Sequence, residues 1–330
     1  MVCFDEKRLC ALLGKREVFN ARSLILTGDV RGLAAARLLL PLFQAHCGIF
    51  MGCRVISPLE LALYSTAASL GTGEPDSPWI VAISESGADA DLIQALEKAA
   101  GLGAFTVLIT AAAAAPAAKA ASRVLTAEPE RAGSTLLMLC AEAVGVACRI
   151  AEVKRKVPPL AFSRWSRVWQ IYAGQVQQAL SAQEKVLADY AAWWSACDAF
   201  EVIGDGGCAG AARYAAWEIL QKRGVSACAF DSEDWCHIPF FRREPETIGT
   251  LFLCQSDAKA WTREQESVEM ARKVGRTVEL ITDADGPEFP GVQILRLPVP
   301  PEGFSWLFAL FAAEAVRVAV KKMGGDADDC

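Results

Sequence analysis

Between Trp79 and Thr110 the alternation of apolar and polar segments predicts a strand, a tight turn, a helix and a second strand in one uninterrupted run. Trp79 to Ile83 is a short apolar stretch of β-favouring type, and Ser84-Glu85-Ser86-Gly87 is too polar and too turn-prone to prolong it. From Asp89 the apolar positions Leu92, Ile93, Leu96, Ala99 and Ala100 recur at helical spacing. The acids Asp89 and Asp91 fall in the first turn, and Gly101 and Gly103 end the helix. Phe105 to Ile109 reads as a second buried strand. This order gives two parallel strands joined by a right-handed crossover, with the polar turn at the carboxyl end of the first strand, where open α/β sheets bind ligands.

The flanking pattern extends the sheet on both sides. Asp5 to Phe19 has a weak helical period. Ser23 to Thr27 is a strand that feeds the turn Gly28 to Gly32 and the apolar helix Leu33 to Phe43. Cys53 to Ile56 is a short strand and Pro58 to Ser69 a helix. An alanine-rich connection from Ala111 to Ala121 leads to a strand at Arg123 to Leu125, and Ser134-Thr135 opens the helix Leu136 to Ile150. The basic, proline-containing run Lys154 to Pro159 cannot continue that helix. Residues 1–153 are therefore expected to form a first domain, 154–162 a linker and 163–330 a second domain.

In the second half, Trp165, Trp169, Tyr172, Val176, Leu180, Leu187, Tyr190 and Trp194 recur at three- and four-residue steps. They form a stripe suited either to core packing or to a dimer surface. Beyond it the first half repeats. The strand Phe200 to Ile203 and the turn from Gly204 echo Ser23 to Gly32, and Leu251 to Asp257 echoes Trp79 to Glu85. Gly103 and Thr110 recur 172 positions later as Gly275 and Thr282. Val292 to Leu297 and a helix from Ser305 to Lys322 close the pattern. The fold class predicted is α/β, with two doubly wound parallel-sheet units (αβα sandwiches) in tandem.

A chain of 330 residues that is 53% hydrophobic can fill two cores of ordinary size. Its net charge of −6 and lack of a basic stripe argue against nucleic acid as partner. The charged start MVCFDEKRLC offers no secretory signal, so a cytoplasmic location is expected. The uncharged run between Lys98 and Lys119 contains Gly101, Gly103 and Pro116 and reads as strand and connection rather than a membrane span. Twelve cysteines without a C-x-x-C pair suggest reduced thiols. Cys236 and His237 are adjacent and point apart, so no metal site is expected. Gly28-x-x-x-Gly32 lacks the dinucleotide fingerprint, which leaves an oxidoreductase a distant third reading, and no cofactor is expected.

The segment Ser84-Glu85-Ser86-Gly87-Ala88-Asp89 resembles the core motif of the sugar isomerase (SIS) domain, Ser-Gln-Ser-Gly-Glu-Thr before a helix. The resemblance implies that this turn holds a sugar phosphate through hydroxyls and backbone N–H groups at the helix start, an arrangement whose chemistry suits an anion. Helix capping is the plainer alternative for the same residues. Two further segments fit the family. At Gly28 the family carries a binding serine, whose place here falls on Val30, with Arg31 beside it as a possible anion contact. Glu128 to Thr135 resembles the segment in which Ser134 and Thr135 would line the same pocket, although capping explains those two equally well. The duplication makes the resemblance cover nearly the whole chain. The chain resembles the tandem isomerase domain of glucosamine-6-phosphate synthase and fructosamine deglycase-like phosphosugar isomerases.

In that tandem family a glutamate moves a proton between C1 and C2, and a histidine sixteen positions later helps open the sugar ring. The resemblance assigns the histidine to His237, followed by Pro239. The position for the base is Gln221, which cannot act as one, leaving Glu218, one helical turn earlier, or Glu233. Lys321 and Lys322 do not match the family's lysine-bearing tail. Asp29, Glu85 and Asp89 crowd the presumed phosphate place, and each like-charge contact there costs on the order of 1–4 kcal/mol. A ligand carrying an amine as well as a phosphate is therefore expected. The resemblance further implies a homodimer that shares the histidine loop between subunits. The expected function is an aldose–ketose isomerase or an amino sugar phosphate deaminase or deglycase. A non-catalytic sugar phosphate-binding or regulatory protein is the alternative.

Overall fold

The computed structural model describes residues 5–47, 52–72, 78–127, 134–157, 160–286 and 288–323. Residues 128–133, 158–159 and 324–330 of the segments discussed above lie outside them. The chain divides into two compact units, Met1–Gln170 and Ile171–Cys330, each built on its own five-stranded sheet.

The first unit opens with α1 (Glu6–Leu12) and α2 (Lys15–Asn20) and continues through β1 (Ser23–Gly28), α3 (Val30–Cys47) and β2 (Gly52–Val55). Next come α4 (Pro58–Tyr64), α5 (Ala67–Leu70), β3 (Trp79–Ser84), α6 (Ala90–Gly101), β4 (Phe105–Thr110), β5 (Arg123–Thr126) and α7 (Thr135–Val153). All strand pairs are parallel, in the order β2-β1-β3-β4-β5. Because both faces are covered by helices, β3 buries all six of its residues, and its composition is a continuous apolar run rather than an alternation. The chain leaves β1 toward β2 on one side and returns to β3 on the other. The topological switch point thus lies between the carboxyl ends of β1 and β3.

Two of the helices that depart from their predicted limits do so for evident local reasons. The helix after β1 starts at Val30, three residues early, because Asp29 caps it by accepting from the Gly32 N–H at 2.8 Å. The predicted helix Pro58 to Ser69 is two helices, since Ser65 is extended and Thr66 and Ser69 form a capping box that starts α5.

α8 (Ala161–Ala182) contains the division between the units, and α9 (Glu184–Trp194) follows after a break at Gln183. The second unit then runs β6 (Ala199–Ile203), α10 (Ala209–Arg223), β7 (Ser226–Phe230), α11 (Ser232–His237), β8 (Ile248–Cys254), α12 (Trp261–Lys273), β9 (Thr277–Thr282), β10 (Gln293–Arg296) and α13 (Trp306–Lys321). Its order, β7-β6-β8-β9-β10, is that of the first sheet. β7 has no counterpart in the sequence-based reading: Ser-Ala-Cys-Ala-Phe carries too little apolar contrast to register as a strand.

The register corrects the alignment of the repeats at the third strand. Gly28 pairs with Ile83, and Ile203, one place before Gly204, pairs with Phe252. Ser84 pairs with Thr110, and Cys254 with Thr282. Cys254, and not Ser256, therefore stands where Ser84 stands. A two-residue slip escapes a pattern-based alignment because side chains in a strand repeat every two positions.

The aromatic stripe is core. Trp165, Trp169, Tyr172, Val176, Leu187, Tyr190 and Trp194 are each buried, and burying side chains of this size contributes on the order of 2–3 kcal/mol apiece. Their polar ends are used: the Tyr190 hydroxyl lies 3.0 Å from the carbonyls of both Leu280 and Gln293, and Tyr172 donates to Pro298 O at 2.7 Å. No helix among the described residues is long and apolar enough to cross a membrane.

Candidate functional site

The turns after β1 and β3 meet at the first switch point. Two glycines permit this approach. A Cβ on Gly28 would lie 2.2 Å from Ile83 O, and one on Gly32 would lie 1.7 Å from the same oxygen, so α3 can pack onto the end of β3 only without side chains there. Gly87 holds φ at +61°, and a Cβ on it would lie 2.6 Å from that of Ala115. The turn is braced from β4, where Thr110 Oγ1 donates to Glu85 O at 3.0 Å.

Each acid near this turn has a partner within the protein. Asp29 accepts from the Gly32 N–H through Oδ1 and from the Ser84 hydroxyl through Oδ2. Asp89 caps α6 by accepting from the Leu92 N–H at 2.7 Å. Glu85 Oε2 pairs with Arg31 Nη1 at 2.8 Å, bridging the two turns. The crowding of like charges anticipated from the sequence is relieved by these contacts, because Arg31 neutralises Glu85 and the two aspartates sit at helix starts.

The two serines occupy different environments. Ser84 is fully buried, and its hydroxyl both donates to Asp29 and accepts from the Gly87 N–H at 2.9 Å. Ser86 is exposed, its Oγ accepting from the Ala88 N–H at 3.2 Å. Val30, at the place of the family's serine, is 63% exposed on the first turn of α3. Ser134 caps α7 by accepting from the Leu137 N–H at 3.2 Å, with Thr135 as the first helical residue. Because all five strands are parallel, α3, α6 and α7 each start at the carboxyl edge of the sheet. Gly28, Arg31, Ser84 to Gly87, Asp89, Ser134 and Thr135 thus share that edge, with three helix N-termini directed at it.

The other predicted residues lie in the second unit. His237 ends α11 rather than sitting in an open loop, and its Nε2 is 3.0 Å from Glu233 Oε1 one turn earlier. Arg263 Nη2 reaches the other oxygen of Glu233 at 3.2 Å. His237 and Glu233 are largely exposed and Arg263 is partly so. Glu218 and Gln221 are on α10, where Glu218 accepts from the Tyr214 hydroxyl at 2.5 Å and Gln221 is exposed.

A buried network beneath α11 escaped the sequence-based reading. Glu201 on β6, fully buried, accepts from Trp235 Nε1 at 2.8 Å and pairs with Arg276 at 2.9 Å and Arg242 at 3.3 Å. Arg276 also donates to Pro239 O at 2.6 Å. It ties the segment that carries Glu233 and His237 to the sheet. A charged residue inside the apolar run Ala199–Ile203 was the only signal for it. Among the described residues no group of three or more His, Cys, Asp or Glu side chains is placed to hold a metal ion.

No protein-family model matches the chain, and no curated protein matches it by sequence. Solved structures do match its fold. The C-terminal domain of glucosamine-fructose-6-phosphate aminotransferase from Francisella tularensis superposes with a TM-score of 0.79 at 13% identity, covering 96% of this chain and 91% of that one. Tagatose-6-phosphate ketose/aldose isomerase from Escherichia coli superposes with a TM-score of 0.68 at 16% identity, covering 96% of this chain and 86% of that one. The chain shares the fold of these proteins, as the Ser84-to-Asp89 motif led one to expect.

Proposed function

We propose that the protein binds a phosphorylated sugar at the carboxyl edge of its first sheet, with the phosphate held by the exposed Ser86, the start of α6 and Arg31. The observation that carries this reading is the position of the Ser84–Gly87 turn at the switch point between β1 and β3, in a fold shared with two proteins named for 6-phosphate sugars. Glu85 already occupies Arg31, so a phosphate binds by taking its place, and a ligand amine finds a carboxylate released beside it. An amino sugar phosphate suits both charges.

For catalysis, the reading assigns His237 with Glu233 to proton transfer and Glu218 to the base. In an aldose–ketose interconversion the base takes the proton from one carbon and returns it to its neighbour, while an acid–base group gives a proton to the carbonyl oxygen and takes one from the neighbouring hydroxyl, which becomes the new carbonyl. A specific observation favours a second reading, a non-catalytic sugar phosphate sensor: the place of the family's base holds Gln221, a side chain that cannot accept a proton. The cytoplasmic homodimer expected from the sequence belongs to both readings.

Thermal-shift binding against hexose and hexosamine 6-phosphates, with products of each hit followed by NMR, tests the proposal. Stabilisation with turnover that disappears in His237→Ala supports the enzyme. Stabilisation without turnover supports the sensor, and no stabilisation by any sugar phosphate overturns both.

A further inference from the structure

The second unit has its own switch point, between the carboxyl ends of β6 and β8, and its polar groups differ from those of the first in one respect. Asp205 follows β6 as Asp29 follows β1, and one carboxylate oxygen of each accepts a backbone N–H: Gly32 for Asp29, Ser232 for Asp205 at 3.1 Å. The other oxygen of Asp29 receives the hydroxyl proton of Ser84. By register the place of Ser84 is held by Cys254, and Asp205 Oδ2 is buried with no donor among the described residues.

The carboxyl that acts at this place is Glu264, from the first turn of α12, with Asp205 the acid beside it. It is 1% exposed, and neither of its oxygens has a hydrogen-bond donor among the described residues. Burial and then the Asp205 carboxylate favour its protonated form, against the smaller opposing pull of the Asp205 N–H and the Cys254 thiol. Besides burial, the groups acting on the Cys208 thiol are Glu264, Asp283, Asp205 and Asp257, and those acting on the Cys254 thiol are Glu264, Cys208 and Asp205, all acids and thiols. Asp283, from the end of β9, is itself turned toward the Ser256 N–H at 2.6 Å. Two ionised carboxylates in so dry a place repel strongly. One proton removes the repulsion and supplies the missing donor.

We infer that Glu264 carries a proton and donates it in a hydrogen bond to Asp205 Oδ2, and that this hydrogen bond is the latch holding the start of α11, the His237-bearing helix, against the end of β6. Asp205 is the hinge of the arrangement, since its Oδ1 holds the Ser232 N–H while its Oδ2 receives the proton of Glu264. Burial, with Asp205 second, pushes the Glu264 carboxyl up to about 8. Near and above that pH the proton passes to solvent base, the carboxylates repel, and α11 loosens. The inference is independent of whether a sugar phosphate binds.

The test is a carbon-13 carboxyl titration of glutamate-labelled protein from about pH 6 to about pH 10, run alongside hydrogen exchange of the Ser232–His237 amides. The Glu264 resonance, identified by its absence in Glu264→Gln, is expected to titrate far above the ordinary carboxylate range and to move down in Asp205→Asn. Relative to Glu264→Gln, whose amide donates without titrating, the wild-type α11 amides are expected to lose protection by about tenfold per pH unit above the midpoint. Titration in the ordinary range, or the same pH dependence of protection in wild type and Glu264→Gln, overturns the inference. Should Glu264→Gln not fold, the wild-type titration and its shift in Asp205→Asn decide alone.

Discussion

Arg31 Nη1 and Glu85 Oε2 lie 2.8 Å apart, joining the turn after β1 to the turn after β3 across the first switch point. Their side chains are 42% and 40% exposed, so the pair is worth about 1 kcal/mol or less to stability. Its weight falls on binding. Glu85→Gln is expected to melt close to wild type and to bind a hexose 6-phosphate roughly tenfold more tightly, because the Glu85 carboxylate then no longer competes for Arg31. Arg31→Gln is expected to weaken binding by at least as much. Calorimetry at one fixed, low ionic strength measures both, and equal affinities in the two variants would rule out the exchange of Glu85 for phosphate.

Ser84 and Ser86 separate structure from binding. Ser84→Ala leaves Asp29 Oδ2 and the Gly87 N–H without their partner in a buried place, at a cost of about 1–3 kcal/mol in urea denaturation. Ser86→Ala removes an exposed hydroxyl and is expected to leave the urea midpoint in place while weakening phosphate binding. The reverse pattern would assign the ligand to Ser84.

Gly32→Ala is expected to be the most damaging single methyl group in the first unit. The added carbon would meet Ile83 O at 1.7 Å, and neither that backbone oxygen nor the helix can yield without breaking the β1–β3 register. A loss of about 3 kcal/mol or more is anticipated, read from the denaturation midpoint. Gly101→Ala, which meets nothing within 4 Å, is the control.

Glu279, in the middle of β9, is fully buried, and burial pushes its carboxyl from 4.5 up to about 8. Between those values the folded protein keeps a proton that the unfolded chain has lost, so stability falls as pH rises. The contribution is complete below about 4.5 and gone above about 8. Glu279→Gln should flatten this part of the stability profile, removing a slope of up to about 1.4 kcal/mol per pH unit, and should be more stable than wild type at high pH. Parallel profiles from chemical denaturation across the pH range would show that Glu279 is ionised in the fold.

What the chain alone determined follows from short-range rules. The run from Trp79 to Thr110 declares its strand, turn, helix and strand because period and turn chemistry are local, and the repeat at Gly275 and Thr282 announces a second copy of the unit. The same rules are blind where contrast is low, as in β7, and where a two-residue slip preserves the face, as when Cys254 rather than Ser256 takes the place of Ser84.

Only the tertiary structure decided how the polar residues spend their hydrogen bonds. Asp29 and Ser84 are 55 positions apart, as Arg31 and Glu85 are 54 apart, and nothing local pairs them. The sheet does so by laying β3 beside β1 and letting two glycines bring the turns together. That pairing turned Ser84 into a structural pin and left Ser86 exposed beside the Arg31–Glu85 pair. Where the second sheet lacks the equivalent hydroxyl, it brought Glu264 to Asp205, a juxtaposition that depends on burial and therefore on the fold as a whole.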